Sequence, residues 1–279
     1  MSRALIVEGG AMRGIFSSGI LDAFIAADYY PFEQYLGVSA GASNLVAYLG
    51  KQQGRNYRVY TDYCRRPQCI SWSRFLRGGS LIDIEWLWDI TERELPIGEE
   101  HIAQRREQLL ITTTCATSGE AHYMTPEMDE IFQMLKASGT MPVAFRGNVM
   151  LRGRQWFDGG VSDSVPVEEA YRRGARDILI LRSNPVGYRK KAYRISKLFP
   201  KLMPRYPKIA ERLQRRHEDY NRSIEFIRNP PSDCRIHEIC PPDEFPVGQF
   251  TRDLNKLNSA YEMGLAAGNE WLVDYGDFS

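Results

Sequence analysis

The sequence predicts an α/β protein with a mainly parallel central sheet, covered by helices on both faces, and a basic, mostly helical C-terminal extension. Short apolar runs that suit buried strands alternate with helical patterns along most of the chain. A glycine-rich loop follows the first apolar run, and a Gly-x-Ser-x-Gly turn follows the second. Parallel strands that are buried on both faces have continuous apolar runs, so this alternation favours a three-layer α/β/α architecture.

Length and composition suit one sizeable domain or a main domain with an appended portion. The 279 residues are 43% hydrophobic, and the net charge of +1 gives no overall attraction to nucleic acid or membranes. Five cysteines cannot all pair, and the first residues lack a signal-peptide pattern, so we expect a reduced, cytoplasmic protein. We place a domain boundary near residue 185, which separates residues 1–185 from the extension of residues 186–279.

The first strand is predicted at Ala4 to Val7, followed by the loop Gly9-Gly10-Ala11-Met12-Arg13-Gly14. Such a loop before a helix directs backbone N–H groups and the positive end of the helix dipole to one point, which predicts anion binding. The anion is either a dinucleotide pyrophosphate or the oxyanion of an acyl-transfer intermediate. Ala11 replaces the middle glycine of the dinucleotide pattern, and no acidic residue ends the next strand, so the oxyanion is favoured.

The second strand is predicted at Tyr35 to Val38, with a helix from Ala40 to Leu49 after it. Ser39 lies at the corner, within Gly37-Val38-Ser39-Ala40-Gly41, as in a nucleophile elbow. Gly37 and Gly41 would leave room for a tight turn. The motif is short and also occurs in structural turns, so its meaning depends on the rest of the chain.

Aromatic and basic residues alternate between Tyr57 and Trp88. This composition can bind single-stranded nucleic acid, but the near-neutral charge favours core packing or an apolar substrate groove, and we expect no nucleic acid partner. Further on, strands are predicted at Gln108 to Cys115 and Asp177 to Arg182, with helices at Glu127 to Ala137 and Glu168 to Arg173.

Asp158, in the turn Asp158-Gly159-Gly160, is the candidate base for a serine nucleophile. Asp-Gly-Gly is by itself a common turn sequence. A hydroxyl nucleophile nevertheless needs a base within hydrogen-bonding distance. None of the four histidines has comparably informative surroundings: His101, His122, His217 and His237. The residues therefore favour a Ser–Asp dyad over a Ser–His–Asp triad.

The glycine-rich loop, the serine elbow and the Asp-Gly-Gly turn, in this order, resemble the patatin-like phospholipase family. The segments Ala137 to Val143 and Val161 to Val167 also resemble the family pattern, and the resemblance covers Ala4 to Arg182. It implies a patatin-like fold and the hydrolysis of lipid esters, with Ser39 as the nucleophile and Asp158 as its direct base.

The same resemblance implies that N–H groups of Gly10, Ala11 and neighbouring residues form the oxyanion hole, and that Arg13 braces the loop or adds positive charge. The family usually has a third glycine at the position of Ala11, where a methyl group resists positive φ. The implied substrate is a lipid ester, with no metal and no cofactor. The alternatives are a lipid transacylase and a dinucleotide-binding or regulatory module in which Ser39 is structural.

Residues 188–216 are strongly basic, with Glu211 as their single acidic residue. Pro200, Pro204 and Pro207 are expected to keep any helix in this stretch short. The stretch suits a membrane-facing cap over the site that rests on anionic lipid, although a solvated face or a nucleic-acid patch would have the same composition. Beyond it we predict helices at Tyr220 to Ile227 and Leu254 to Val273, and a strand at Arg235 to Ile239.

Overall fold

The computed structural model describes residues 2–142, 144–145, 147 and 149–276. The strands of this part of the chain form one eight-stranded sheet: β1 (Ser2–Val7), β2 (Gln34–Val38), β3 (Leu109–Cys115), β4 (Ala121–Met124), β5 (Val149–Leu151), β6 (Arg154–Asp158), β7 (Ala175–Leu181) and β8 (Arg235–Ile239). Their order is β5-β6-β3-β2-β1-β7-β8, and β4 also pairs with β3.

Helices connect these strands. They are α1 (Ile15–Ala26), α2 (Ala40–Leu49), α3 (Arg55–Arg58), α4 (Trp72–Leu76), α5 (Ile84–Glu94), α6 (Glu99–Arg105), α7 (Ile131–Gly139), α8 (Val167–Arg172), α9 (Phe199–Leu202), α10 (Pro207–Arg228) and α11 (Leu254–Tyr275). None of these helices, within the described residues, is both long and apolar enough to cross a bilayer.

The central strands β3, β2, β1, β7 and β8 run parallel and are covered on both faces. Along β1, Leu5 and Val7 pack into a core with α1, α2 and α7, whereas Ala4 and Ile6 pack into a second core with α8 and α10. The alternation follows from the two-residue period of a strand. The predicted three-layer fold with a mainly parallel sheet is therefore confirmed.

The edge beyond β3 is antiparallel, which the sequence patterns did not predict. Strands β4 and β6 both pair antiparallel with β3, and β5 forms a hairpin with β6. These three strands are only three to five residues long, and β6 begins with a charged residue, so they lack the continuous apolar run that marks a buried parallel strand.

The C-terminal residues are integrated with the rest of the fold. Strand β8 extends the sheet by parallel pairing with β7. Helix α11 packs against α1, where a Cβ on Gly19 would lie 2.8 Å from the Leu265 nitrogen, so only a glycine allows this approach.

The expectation that prolines keep the basic stretch from forming long helices was wrong for its second half. Residues 207–216 are the beginning of α10, a helix of 22 residues that continues through the predicted Tyr220 to Ile227 segment. Pro207 occupies the first turn, where its missing N–H has no helical acceptor and its fixed φ suits the helix.

Candidate active site

Ser39 lies in a strained turn between β2 and α2. Its backbone has φ 53° and ψ −124°, a conformation that residues with a side chain rarely adopt and that costs about 1–3 kcal/mol. The two flanking glycines are required by close contacts. A Cβ on Gly37 would lie 2.8 Å from the Ala42 nitrogen, and a Cβ on Gly41 would lie 3.0 Å from the Glu8 carbonyl oxygen. The elbow therefore holds α2 tightly against the end of β1.

The sheet register brings Asp158 beside this turn. Val38, the last residue of β2, pairs with Thr112 of β3, and Asp158, the last residue of β6, pairs with Thr113. Asp158 and Val38, the residue before Ser39, therefore pair with consecutive residues of β3. The Ser39 side chain is close enough to the Asp158 carboxylate to lower its pKa, and both residues line the same cavity.

The end of α7 fixes the backbones of both residues. The Ser138 hydroxyl accepts a hydrogen bond from the Ser39 N–H at 2.9 Å and donates one to the Thr112 carbonyl at 2.7 Å. Two residues later, the Thr140 carbonyl accepts the Asp158 N–H at 2.9 Å. This segment belongs to the predicted Ala137 to Val143 motif, of which Val143 lies outside the described residues. Ser138 was not predicted as a site residue.

Asp158 is a buried carboxylate without an ion pair among the described residues. It is 3% exposed, and its Oδ1 accepts the Gly160 N–H at 2.7 Å. Burial raises the pKa of Asp158, and the nearby Ser39 side chain, the charge of Arg216 and the Gly160 N–H offset this only in part. Gly159 is buried against β3. A raised pKa makes Asp158 a stronger base than an aspartate in water.

Arg216 of α10 lies close to Asp158. It is 8% exposed, and its guanidinium donates hydrogen bonds to the Gly160 carbonyl and, at 2.5 Å, to the Tyr193 hydroxyl. A Cβ on Gly160 would lie 3.1 Å from Asp158 Oδ1 and 3.3 Å from Arg216 Nη2, so both groups lie on the same side of this glycine. Arg216 belongs to the basic stretch that we expect to form a membrane-facing cap over the site, and its own side chain is buried beside Asp158.

The glycine-rich loop lies beside Ser39. Gly9, Gly10, Ala11, Met12 and Arg13 line the same cavity as Ser39, whereas Gly14 does not. The N–H groups of Met12 and Arg13 donate to the carbonyls of Gln249 and Gly10. For the N–H groups of Gly10 and Ala11, no acceptor is found among the described residues. These two donors are thus available to an anion in the cavity.

Ala11 adopts the positive φ that its methyl group disfavours, with a φ of 49°. The loop therefore keeps a left-handed conformation at this position in spite of the side chain. Arg13 braces the loop from outside the turn: Nε donates to the Ser183 carbonyl at 2.6 Å, and Nη1 donates to the Val247 carbonyl at 2.7 Å.

Glu8, at the end of β1, is a second buried carboxylate in this cavity. It forms an ion pair with the fully buried Arg182 at 3.0 Å, and it accepts hydrogen bonds from the Ser183 N–H at 2.8 Å and from the Tyr220 hydroxyl at 2.9 Å. Burial alone would raise the pKa of Glu8, but the Arg182 charge and these hydrogen bonds lower it below its usual value. Glu8 is therefore a fixed anion.

The cavity has a volume of about 170 Å³. Part of its wall is apolar. Most of this part comes from the aromatic segment between Tyr57 and Trp88, including Val59, Tyr60, Ile70, Leu87 and Trp88, and Phe250 adds to it. The remaining wall contains charged and polar groups, including Glu8, Ser183, Asn184, Lys190 and Arg216. Within the part of the chain that the structure describes, no cluster of His, Cys, Asp or Glu side chains could hold a metal ion.

Two family models match the chain. A model for patatin-like phospholipases matches residues 5–171, and a model for a domain of unknown function (DUF6363) matches residues 206–279.

Two curated proteins are similar in sequence. The uncharacterized protein YjjU of Escherichia coli (strain K12) is 32% identical over 282 residues, which span 98% of this chain and 78% of that protein. A probable lipid hydrolase, 463L of Invertebrate iridescent virus 6, is 23% identical over 189 residues, which span 61% of this chain and 63% of that protein.

Among solved structures, VipD from Legionella pneumophila aligns with 98% of this chain and 67% of its own, at 14% identity and a TM-score of 0.46. The family assignment itself rests on sequence. Because the phospholipase model matches more than half of the chain, including Ser39 and Asp158, the protein belongs to the patatin-like phospholipase family, a family of lipid ester hydrolases.

Proposed function

We propose that this protein hydrolyses lipid carboxylic esters, in the manner of a phospholipase A or lysophospholipase, with Ser39 as nucleophile and Asp158 as its direct base. The observation that supports this most strongly is that Ser39 and Asp158 line one cavity together with Gly10 and Ala11, whose N–H groups have no acceptor among the described residues. A nucleophile, a base and oxyanion donors are the groups that acyl transfer requires.

In the first step, Ser39 Oγ attacks the carbonyl carbon of the ester while Asp158 accepts the hydroxyl proton. The carbonyl oxygen becomes an oxyanion, which the N–H groups of Gly10 and Ala11 stabilise by hydrogen bonds. Removing one such donor typically lowers kcat by about 10²–10³-fold. The C–O bond to the alcohol then breaks, Asp158 returns the proton to the leaving oxygen, and an acyl-Ser39 intermediate remains.

In the second step, Asp158 accepts a proton from water as the water oxygen attacks the acyl carbonyl carbon. The second oxyanion forms at the same two N–H groups and collapses, which breaks the bond to Ser39 Oγ. Asp158 donates its proton to this oxygen and restores the hydroxyl, and the fatty acid leaves. The apolar wall of the cavity, which includes Tyr60 and Trp88, is suited to the acyl chain.

Intact-mass analysis after treatment with a fluorophosphonate tests the nucleophile. We expect one adduct on the wild type, none on Ser39→Ala, and slower labelling of Asp158→Asn. Ser43→Ala is a matched control, because Ser43 lines the same cavity one helical turn after the elbow. It should label like the wild type.

Folded wild-type protein without an adduct would contradict the proposal, and so would an adduct that persists in Ser39→Ala. Stabilisation of the protein by dinucleotides, in the absence of any labelling, would instead support the dinucleotide-binding alternative. An acyl-enzyme that passes its acyl group to an added alcohol faster than to water would assign the chain as a transacylase.

We also propose a cytoplasmic enzyme that contacts anionic membranes through part of residues 188–216. Lys190 and Arg216 are excluded from this surface because they line the cavity. The outward part of the stretch has exposed apolar side chains, such as Leu198 and Leu202, among exposed lysines. This combination suits the surface of an anionic bilayer.

Co-sedimentation with vesicles tests the membrane contact. Reversing the charge at Lys197 and Lys201 should lower the affinity for anionic vesicles by about tenfold or more, since each cation near the surface contributes about 1 kcal/mol. The control is the same reversal at the exposed Lys256 of α11. Unchanged binding of the Lys197/Lys201 variant would refute the contact.

The division into residues 1–185 and 186–279 remains part of this proposal. The first portion would contain the dyad and the oxyanion loop, and the second would supply cations to the cavity. Expression of residues 1–185 alone tests it: a folded fragment that Ser39 labelling detects would support an autonomous catalytic domain, and an unfolded fragment would contradict it.

A further inference from the structure

Lys190 and Arg216, which both lie in the C-terminal part of the chain, line the cavity without an anionic partner among the described residues. Arg216 and Lys190 form no ion pair with any carboxylate of residues 2–142, 144–145, 147 and 149–276. Arg216 is buried and uses its guanidinium on the Gly160 carbonyl and the Tyr193 hydroxyl, which are both uncharged. The Lys190 ammonium lies over the Tyr220 ring, 4.5 Å from its centre.

The carboxylates of the cavity are engaged elsewhere. Glu8 already binds Arg182, the Ser183 N–H, the Tyr220 hydroxyl and, at 3.0 Å, the Asn184 amide. Asp158 accepts the Gly160 N–H and lies near the Ser39 side chain. Neither carboxylate therefore neutralises the two free cations at ion-pair distance.

This arrangement is electrostatically unfavourable without a bound anion. Burial and the nearby charge of Arg216 lower the pKa of Lys190 to about 7. An unpaired buried charge is costly, and a bound anion would remove much of that cost because it would interact with both cations. The cavity thus has the charge complementarity of an anion-binding site, next to a lipid-type apolar wall.

We propose that Lys190 and Arg216 bind the phosphate of the lipid substrate, and that they make the enzyme selective for esters whose headgroup is a net-negative phosphate. This proposal rests on the lipid hydrolase function given above. In a glycerophospholipid the phosphate is only a few bonds from the acyl esters, so both groups can occupy one cavity. Arg and Lys form charge-assisted hydrogen bonds to phosphate oxygens, which are about twice as strong as neutral ones.

Three lipids with the same single acyl chain test the subsite: 1-acylglycerol 3-phosphate, 1-acylglycerophosphocholine and 1-monoacylglycerol. We expect the wild type to have its highest kcat/KM on the phosphate monoester. Lys190→Met keeps the length of the side chain and removes its charge. It should lower the preference for the phosphate over the monoacylglycerol by about tenfold, as expected for the loss of one charge-assisted hydrogen bond.

The neutral ester is the internal control. Lys190→Met should lower kcat/KM on the phosphate ester by a larger factor than on the monoacylglycerol, because the neutral ester has no phosphate for Lys190 to bind. Lys191→Met is the matched control: Lys191 is exposed, adjacent in sequence and absent from the cavity wall, so its substrate preference should equal that of the wild type.

Four results would overturn the proposal. Two concern the wild type: equal kcat/KM on the phosphate and neutral esters, or equal kcat/KM on the phosphate and phosphocholine esters. The other two are an equal loss of kcat/KM on all three esters in Lys190→Met, and the same loss of preference in Lys191→Met as in Lys190→Met. Inorganic phosphate that inhibits monoacylglycerol hydrolysis through Lys190, without any preference for phosphate esters, would assign the site to free phosphate instead. Labelling of Ser39 by the fluorophosphonate distinguishes failure of the hydrolase function from failure of the phosphate subsite. If Ser39 is not labelled, the hydrolase function is wrong. If Ser39 is labelled but the enzyme shows no preference for phosphate esters, only the subsite is wrong.

Discussion

The cavity contains two buried carboxylates, Glu8 and Asp158, whose surroundings differ. Glu8 follows β1 and Asp158 is the last residue of β6, in the same sheet, and they are 2% and 3% exposed. Glu8 has a buried arginine at 3.0 Å and several hydrogen-bond donors, and its pKa is lowered. Asp158 has no ion pair among the described residues, and its pKa is raised.

The difference in ion pairing and pKa suits one of these carboxylates to a structural role and the other to proton transfer. A carboxylate that is fully paired keeps its charge and accepts no further proton, so it can hold strands together but cannot act as a base at neutral pH. A buried carboxylate without an ion pair, next to a serine hydroxyl, can accept the proton of that hydroxyl. On this account Glu8 stabilises the fold and Asp158 performs catalysis. Substitution of Glu8 should therefore lower stability, and substitution of Asp158 should lower activity.

The largest effect is expected for Asp158→Asn. The amide keeps the shape of the side chain but cannot accept the Ser39 proton, so kcat should fall by about 10²–10⁴-fold while the fold is retained. The control is Asp163→Asn, since Asp163 is half-buried, accepts a hydrogen bond from the Tyr123 hydroxyl at 2.7 Å and does not line the cavity. Steady-state hydrolysis of a monoacylglycerol measures both. Equal losses in the two variants would mean that Asp158 has no special role.

Glu8→Gln should instead lower the stability of the protein and leave Ser39 reactive. It leaves the Arg182 guanidinium, which is fully buried, with Glu238 as its remaining acidic partner. We expect a loss of about 3 kcal/mol in the free energy of unfolding, as when one partner of a buried pair is removed. Urea denaturation measures it, with the exposed Glu100→Gln as control. The folded fraction should still be labelled at Ser39, and loss of labelling without loss of stability would reverse the assignments of the two carboxylates.

Arg216→Gln tests the electrostatic environment of Asp158. The Arg216 charge lowers the pKa of Asp158, so its removal should raise that pKa. Because Asp158 must be ionised to act, activity is lost as pH falls through its pKa. The acid limb of kcat/KM on a neutral monoacylglycerol should therefore move to higher pH.

The matched control is Arg212→Gln, on the same helix, because Arg212 pairs with Asp219 and is absent from the cavity wall. Its acid limb should coincide with that of the wild type. A profile of Arg216→Gln that is also unmoved would show that Arg216 has no influence on the base.

The smallest effect concerns Ala11, in the loop that follows Glu8. Glycine at this position would relieve the positive φ of 49°, so Ala11→Gly should raise the free energy of unfolding by up to about 1 kcal/mol. Its N–H is retained, and we expect kcat to change by less than about threefold. Thermal unfolding and steady-state kinetics measure the two quantities. A destabilised variant would mean that the methyl group makes a contact that outweighs the strain.

The elements that local sequence defines were predicted well. The bounds of α2 and β8 agree with the prediction, and the corner that contains Ser39 was recognisable because strand, turn glycines and helix adjoin in sequence. Asp158 was proposed because the turn that contains it completes a pattern with the serine elbow. The structure brings these two residues together, and their catalytic roles remain a prediction.

The positions of Lys190 and Arg216 could not be predicted from composition. Both lie in a run of cations that resembles a solvated surface. Arg216 faces Gly160 only because α10 is one long helix that starts at Pro207 and packs over the sheet. Ser138 was missed for a similar reason: its hydroxyl contacts β2 and β3, which are distant in sequence. Long-range packing, rather than local pattern, decides such contacts.

The most direct test of the central claim is the pH dependence of fluorophosphonate labelling of Ser39, compared between the wild type and Asp158→Asn. The account predicts that wild-type labelling slows as pH falls through the raised pKa of Asp158, by about tenfold per unit below it. In Asp158→Asn, labelling should be slow and should lack this acid limb. If Asp158→Asn retained the acid limb of the wild type, another group would be the base and the assignment of Asp158 would be wrong.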